Sequence, residues 1–182
     1  MKLKRELVAD SSFYICFLDC IKDTKSLIEI LDNFKAHIPP KVSEEIRNSP
    51  NWRRISNHKN LNHFSNPPFD IGKLIQPFLS KQEIKKGEYD IILTAYFIFN
   101  LSKEKDFVLV IDDKKPRNFV QKNFLDLAHY LRGTVNFIRD CYVNYKIFNK
   151  NEVLVLYDNI EKSNFRVKLN ILTNLREEIC QK

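Results

Sequence analysis

Five acids carry the chemistry that can be read from this sequence: Asp10, Glu45, Asp90, Asp112 and Asp113 each stand at the end of an apolar run or just inside a helix signal. Carboxylate oxygens are the preferred ligands of hard divalent cations such as Mg²⁺ and Mn²⁺. A pair of such ions activates water and stabilises the leaving oxygen in an in-line phosphodiester displacement. Converging carboxylates without a cation repel one another and raise their own pKa values. Taken singly, each acid also suits a helix N-terminus, where it caps and complements the dipole. The Asp112–Asp113 pair suits a turn equally well. A common site therefore requires elements that bring these acids to one place.

Those elements are legible in outline. The short apolar run in Lys4 to Ala9 ends at Asp10 and predicts a first, central strand, with Ser11 and Ser12 capping a helix over Phe13 to Ile21. Asp23 and Thr24 open a second helix with Leu27, Ile28, Ile30, Leu31 and Phe34 as its apolar face. His37 and Ile38 read as a brief second strand, and Pro39–Pro40 as the start of the helix carrying Val42, Glu45 and Ile46. From Asn48 to about Pro68 apolar periodicity is lost, which predicts a long surface loop, with a helix over Ile71 to Ser80. Glu88 to about Leu101 reads as a buried helix. The run Phe107 to Ile111 has the continuous apolar character of a parallel strand buried on both faces, and it ends at Asp112. A helix over Pro116 to Phe124, a strand near Ala128 to Leu131, and helices from Thr134, Glu152 and Val167 follow. Strands alternating with helices give an α/β fold with a parallel central sheet. Ligands of such sheets bind beyond the carboxyl ends of the strands, where Asp10, Asp112 and Asp113 fall.

The length of 182 residues fits one domain, read as 1–182 with a long loop or insert around 47–86. Three Gly and seven Pro exclude collagenous and low-complexity classes. A formal charge of +7 favours a polyanionic partner without choosing among RNA, DNA and anionic lipid. The charged start and the lack of a long apolar run predict no signal peptide and no membrane span, hence a cytoplasmic protein. Cys16, Cys20, Cys141 and Cys180 lack metal-ligand spacing and read as free thiols in a reducing compartment.

The acid-bearing segments, in order, resemble the PIN domain over nearly the whole chain. Leu7 to Ser12 (LVADSS) looks like the family's opening strand, Ile38 to Ile46 (IPPKVSEEI) like its second segment, and Gly87 to Ala95 (GEYDIILTA) like its third. Val108 to Arg117 (VLVIDDKKPR) resembles the fourth, and Gly133–Thr134–Val135 with Asn164 to Val167 (NFRV) resembles the tail of a prokaryotic subfamily. The resemblance implies a three-layer α/β/α sandwich and a Mg²⁺- or Mn²⁺-dependent endoribonuclease. Its metal ligands would be Asp10, Glu45, Asp90 and Asp112 or Asp113, with Glu88 as a second candidate for the third position. Ser11 and Thr134 would hydrogen-bond those acids. Many relatives are toxins neutralised by an antitoxin protein, and many form homodimers. The segment Arg47 to Lys86 has no match in the family pattern, and Tyr89, Tyr96 and Phe97 are bulkier than its usual residues.

Trp52, Arg53 and Arg54, with His58, Lys59 and His63, interleave charge and an aromatic ring in the manner of a single-strand RNA contact, or of a solvated loop anchored by one buried Trp. Lys81, Lys85 and Lys86 place positive charge ahead of Asp90, and Lys114, Lys115 and Arg117 do so after Asp112. Two further readings compete with the nuclease: a non-catalytic module of the same fold binding RNA or a partner protein, and a structure-specific DNA nuclease.

Overall fold

A computed structural model of the chain describes residues 5–64, 86–101 and 106–181, with residues 86–89 described by backbone alone. The expected helix over 71–80 and the basic residues Lys81 and Lys85 lie outside the described residues, as do the side chains of Lys86 and Glu88.

Five strands form one sheet: β1 (Arg5–Ala9), β2 (Phe34–Ile38), β3 (Leu61–His63), β4 (Phe107–Val110) and β5 (Leu131–Arg132). All neighbours are parallel, in the order β3-β2-β1-β4-β5. The helices are α1 (Ser11–Ile15), α2 (Thr24–Asn33), α3 (Pro40–Ile46), α4 (Lys86–Leu101), α5 (Lys114–Asn123), α6 (Leu125–Ala128), α7 (Thr134–Val143), α8 (Lys150–Lys162) and α9 (Leu169–Cys180). Side-chain alternation assigns the two faces of the sheet. Leu7, Ala9, Ala36, Val108 and Val110 pack on one side with side chains from α1, α2, α7, α8 and α9. Val8, Phe107 and Leu109 pack on the other with Ile91, Ile92, Ala95 and Ile98 of α4 and with residues of α5 and α6. The result is the three-layer α/β/α sandwich. Each buried Val, Leu or Phe of the strands contributes about 1.5–3 kcal/mol relative to an exposed one, which is why β1 and β4 are apolar on both faces.

The chain runs outward in one direction through β1, β2 and β3, then returns to β4 on the other side of β1. The boundary between β1 and β4 is therefore the topological switch point, where the flanking connections diverge and ligands of such sheets bind.

Four local expectations are corrected. The cap of α1 is Asp10 itself, whose side chain accepts from Phe13 N–H; Ser11 and Ser12 are the first two helical residues. The helix then widens into a π turn over Cys16–Cys20 instead of continuing regularly to Ile21. Phe34 belongs to β2, since α2 ends at Asn33. The segment 47–64, expected as surface loop, holds a 3₁₀ turn (Trp52–Arg54) and the edge strand β3, so this part of the presumed insert completes the sheet. Cys16 and Cys141 are buried, Cys20 half-buried and Cys180 exposed, and all four are free thiols. Among the described residues, no helix is long and apolar enough to cross a membrane.

Candidate functional site

Asp10 follows the last residue of β1, and Asp112 stands two residues beyond β4, so the two acids flank the switch point. The backbone ties them together: Asp112 N–H donates to Asp10 Oδ2 at 2.8 Å, and Phe13 N–H donates to Asp10 Oδ1 at 3.0 Å. The Asp112 carboxylate is held from the far side by Thr134, whose N–H reaches Oδ1 at 2.9 Å and whose Oγ1 donates to Oδ2 at 2.6 Å. Thr134 opens α7, and its side chain is fully buried. Gly133 just before it leaves room for this contact, since a Cβ there would stand 3.2 Å from Asp112 Oδ1 and 3.5 Å from Arg117 Nη1.

The electrostatics of the pair are unfavourable without a counter-charge. Burial, with the Asp112 carboxylate as second cause and Asp113 as a smaller one, pushes Asp10 from 3.8 up to about 7, against the lowering effect of its two backbone hydrogen bonds. Arg117 is close enough to feel both acids, but its Nη1 donates to the Ile111 carbonyl at 2.8 Å, and burial lowers its pKa. Among the described residues, no ion pair joins Arg117 to either carboxylate. Burial, and then the Asp10 charge, also push the Tyr14 phenol upward, and its hydroxyl is buried without a hydrogen-bond partner among the described residues. Cys16, whose thiol is raised by burial, Cys20 and Asp112 in that order, is no nucleophile.

The five acids are not gathered into one cluster. Asp113, expected as an alternative to Asp112, is exposed and caps α5 by accepting from Lys115 N–H at 3.1 Å. Glu45 is exposed on α3, and Asp90 is buried on α4, which packs against α3. Both lie near Lys41, whose ammonium is favoured first by Glu44 and then, more weakly, by Asp90 and Glu45. Neither contributes to the shift of Asp10. Among the described residues, no three or more His, Cys, Asp or Glu side chains stand close enough to hold one metal ion. The site at the switch point is a two-carboxylate site.

Such a pair suits Mg²⁺ or Mn²⁺. Mg²⁺ is commonly held by one or two carboxylates, with its remaining positions left to water and substrate phosphate. Each oxygen of Asp10 and Asp112 uses one lone pair on the donors above and keeps another for a cation. The upward shift of Asp10, caused first by burial and then by the Asp112 charge, is what a bound cation would oppose.

The residues expected to contact RNA separate in a similar way. Trp52 is buried in the larger core cluster, its ring edge-on to His63 at 5.6 Å, so it anchors the segment and offers no free stacking face. Arg53 and Arg54 are exposed beside it, Arg54 lying 3.5 Å from Thr24 Oγ1. Lys114 and Lys115 are exposed in the first turn of α5, next to Asp112. Ser11 is half-buried in the first turn of α1, with no side-chain bond to an acid among the described residues; Thr134 carries that role alone. The buried hydroxyls of Tyr14, Ser43 and Thr94, all without partners among the described residues, were not foreseen, because an unmet hydrogen bond has no sequence signature.

No family model, no curated protein and no solved structure matches the chain.

Proposed function

We propose that the chain is a PIN-type, Mg²⁺- or Mn²⁺-dependent endoribonuclease. The observation that carries this reading is the Asp10–Asp112 pair at the switch point of an all-parallel sheet, oriented by Thr134 and lacking an ion-paired cation among the described residues. A bound divalent ion would supply charge neutralisation and an activated water for phosphodiester hydrolysis. The chain's own residues do the rest. Thr134 fixes the Asp112 carboxylate, the Asp112 N–H and the N-terminus of α1 fix Asp10, and both acids keep lone pairs that a cation could use. Lys114 and Lys115, exposed one turn from Asp112, attract the phosphates of an approaching strand. The net charge of +7 favours the same class of substrate. Neutralisation by an antitoxin protein and assembly as a homodimer belong to this proposal through the family resemblance.

The test is cleavage of a mixed-sequence single-stranded RNA with 5 mM Mg²⁺ or Mn²⁺, by wild type and by Asp10→Asn. Asn keeps an oxygen for one of the two backbone donors, and an unchanged thermal midpoint would show that the variant folds. The proposal expects wild-type cleavage that stops with chelator and falls at least about a hundredfold in the variant. Undiminished cleavage by Asp10→Asn sinks it.

A further inference from the structure

Two strands away from the acid pair, at the same carboxyl edge of the sheet, lies a second concavity of about 350 Å³. It is lined by Pro40, Ser43, Glu44 and Arg47 of the α3 region and by His63 and Phe64 at the end of β3. With strands about 4.8 Å apart, β3 lies roughly 12 Å from the β1–β4 boundary.

The lining has the chemistry of a nucleotide pocket. His63 presents an exposed imidazole, held edge-on against the buried Trp52 at 5.6 Å. Burial, and then the Arg47 charge, lower its pKa, so the ring is neutral at pH 7 and can stack on a base. Phe64 is fixed at the rim by its N–H bond to Ile38 O at 3.1 Å, with its ring against His37 at 5.7 Å. Arg47 ends α3 with an exposed guanidinium suited to a phosphate. Ser43 is only 4% exposed and packs behind this lining. Glu44 beside it is exposed and shares its carboxylate with Lys41, which leaves acceptor capacity for an amino group.

We infer that this pocket is a base-selecting subsite for single-stranded RNA, taking adenine or cytosine in preference to uracil. Stacking on His63 and Phe64 binds any base, and Arg47 holds its phosphate. Selection comes from Glu44, which accepts from the exocyclic amino group that adenine and cytosine carry and uracil lacks. The inference rests on the reading of the chain as a ribonuclease, because it assigns the pocket to a nucleotide flanking the scissile bond.

The experiment measures anisotropy of fluorescein-labelled oligo(A), oligo(C) and oligo(U) heptamers, with chelator, on the full chain carrying Asp10→Asn and Asp112→Asn. The expected result is oligo(A) or oligo(C) bound about tenfold more tightly than oligo(U). Glu44→Gln should narrow that preference to within about threefold, and His63→Ala should weaken all three oligomers. Both positions are exposed, and an unchanged thermal midpoint would show that the variants fold. Equal affinities for the three oligomers, or a preference that survives Glu44→Gln, would overturn the subsite. Base-selective binding by a chain whose wild type shows no Mg²⁺-dependent cleavage would refute the nuclease reading and keep the subsite. Cleavage combined with equal affinities would do the reverse.

Discussion

Asp140 and Asp10 are both withdrawn from water, one fully and one in part, and the fold treats them in opposite ways. Asp140 on α7 is 1% exposed and is clamped by two guanidinium groups, Arg132 Nε at 2.8 Å and Arg139 Nη2 at 2.9 Å. Asp10, half-buried at the switch point, is pushed up to about 7, first by burial and then by the Asp112 carboxylate. The first arrangement is complete within the chain and binds β5 to α7. The second is left with excess negative charge, held in place by hydrogen bonds that preserve it. A buried acid ion-paired within the fold is architecture; a half-buried pair with no ion pair to either member among the described residues is the candidate site.

The largest effect that sharpens this contrast falls on the architectural side. Asp140→Ala should destabilise the fold by roughly 3 kcal/mol in urea denaturation, because it dismantles a charge pair at a buried position. The corresponding Asp10→Asn change should cost little, and a comparable loss would break the comparison.

Next comes the pH dependence. Asp10 has a folded pKa above its ordinary 3.8, so between about pH 4 and pH 7 the native state binds more protons than the unfolded one. Metal-free stability should therefore fall as pH rises through that window, by on the order of 2 kcal/mol. Asp10→Asn should remove the slope. Saturating Mg²⁺ should reverse the loss at pH 8, since a ligand at a hundred times its Kd adds about 2.7 kcal/mol. Thermal melts at pH 5 and pH 8, with and without Mg²⁺, check both signs.

Smaller effects test the walls of the site. Thr134→Val removes the 2.6 Å donation to Asp112 and should weaken cation binding about tenfold. Gly133→Ala brings a methyl group to 3.2 Å from Asp112 Oδ1 at an ordinary φ of −96°, so stability should change by less than about 1 kcal/mol. Its cation affinity should still fall measurably by titration, as the carboxylate shifts by tenths of an ångström.

The apolar runs of β1 and β4 are visible in the sequence because parallel strands are buried on both faces, and each run ends at its acid. The helix starts at Asp23 and Pro40 were legible for the same local reasons. The choice between Asp112 and Asp113 was not, because adjacent residues differ only in where the backbone aims them. In the fold one meets Thr134 and Asp10, and the other turns to cap α5. Edge strand β3 escaped notice, since three residues with only Leu61 half-buried give no alternation to read. Asp140 carried no signal either: its cations are the adjacent Arg139 and Arg132 on the preceding strand, a pairing made by the fold. Glu45 and Asp90 were grouped with Asp10 from segment order, whereas helix packing brings them to Lys41.

The most direct test of the central claim, that Asp10 and Asp112 form a cation site, is Mn²⁺ calorimetry at pH 8 on wild type and on the Asp10→Asn, Asp112→Asn double variant. The account predicts saturable binding to the wild type with release of protons from Asp10, and none to the variant. Equal binding by both proteins, or no binding to the wild type, would contradict it.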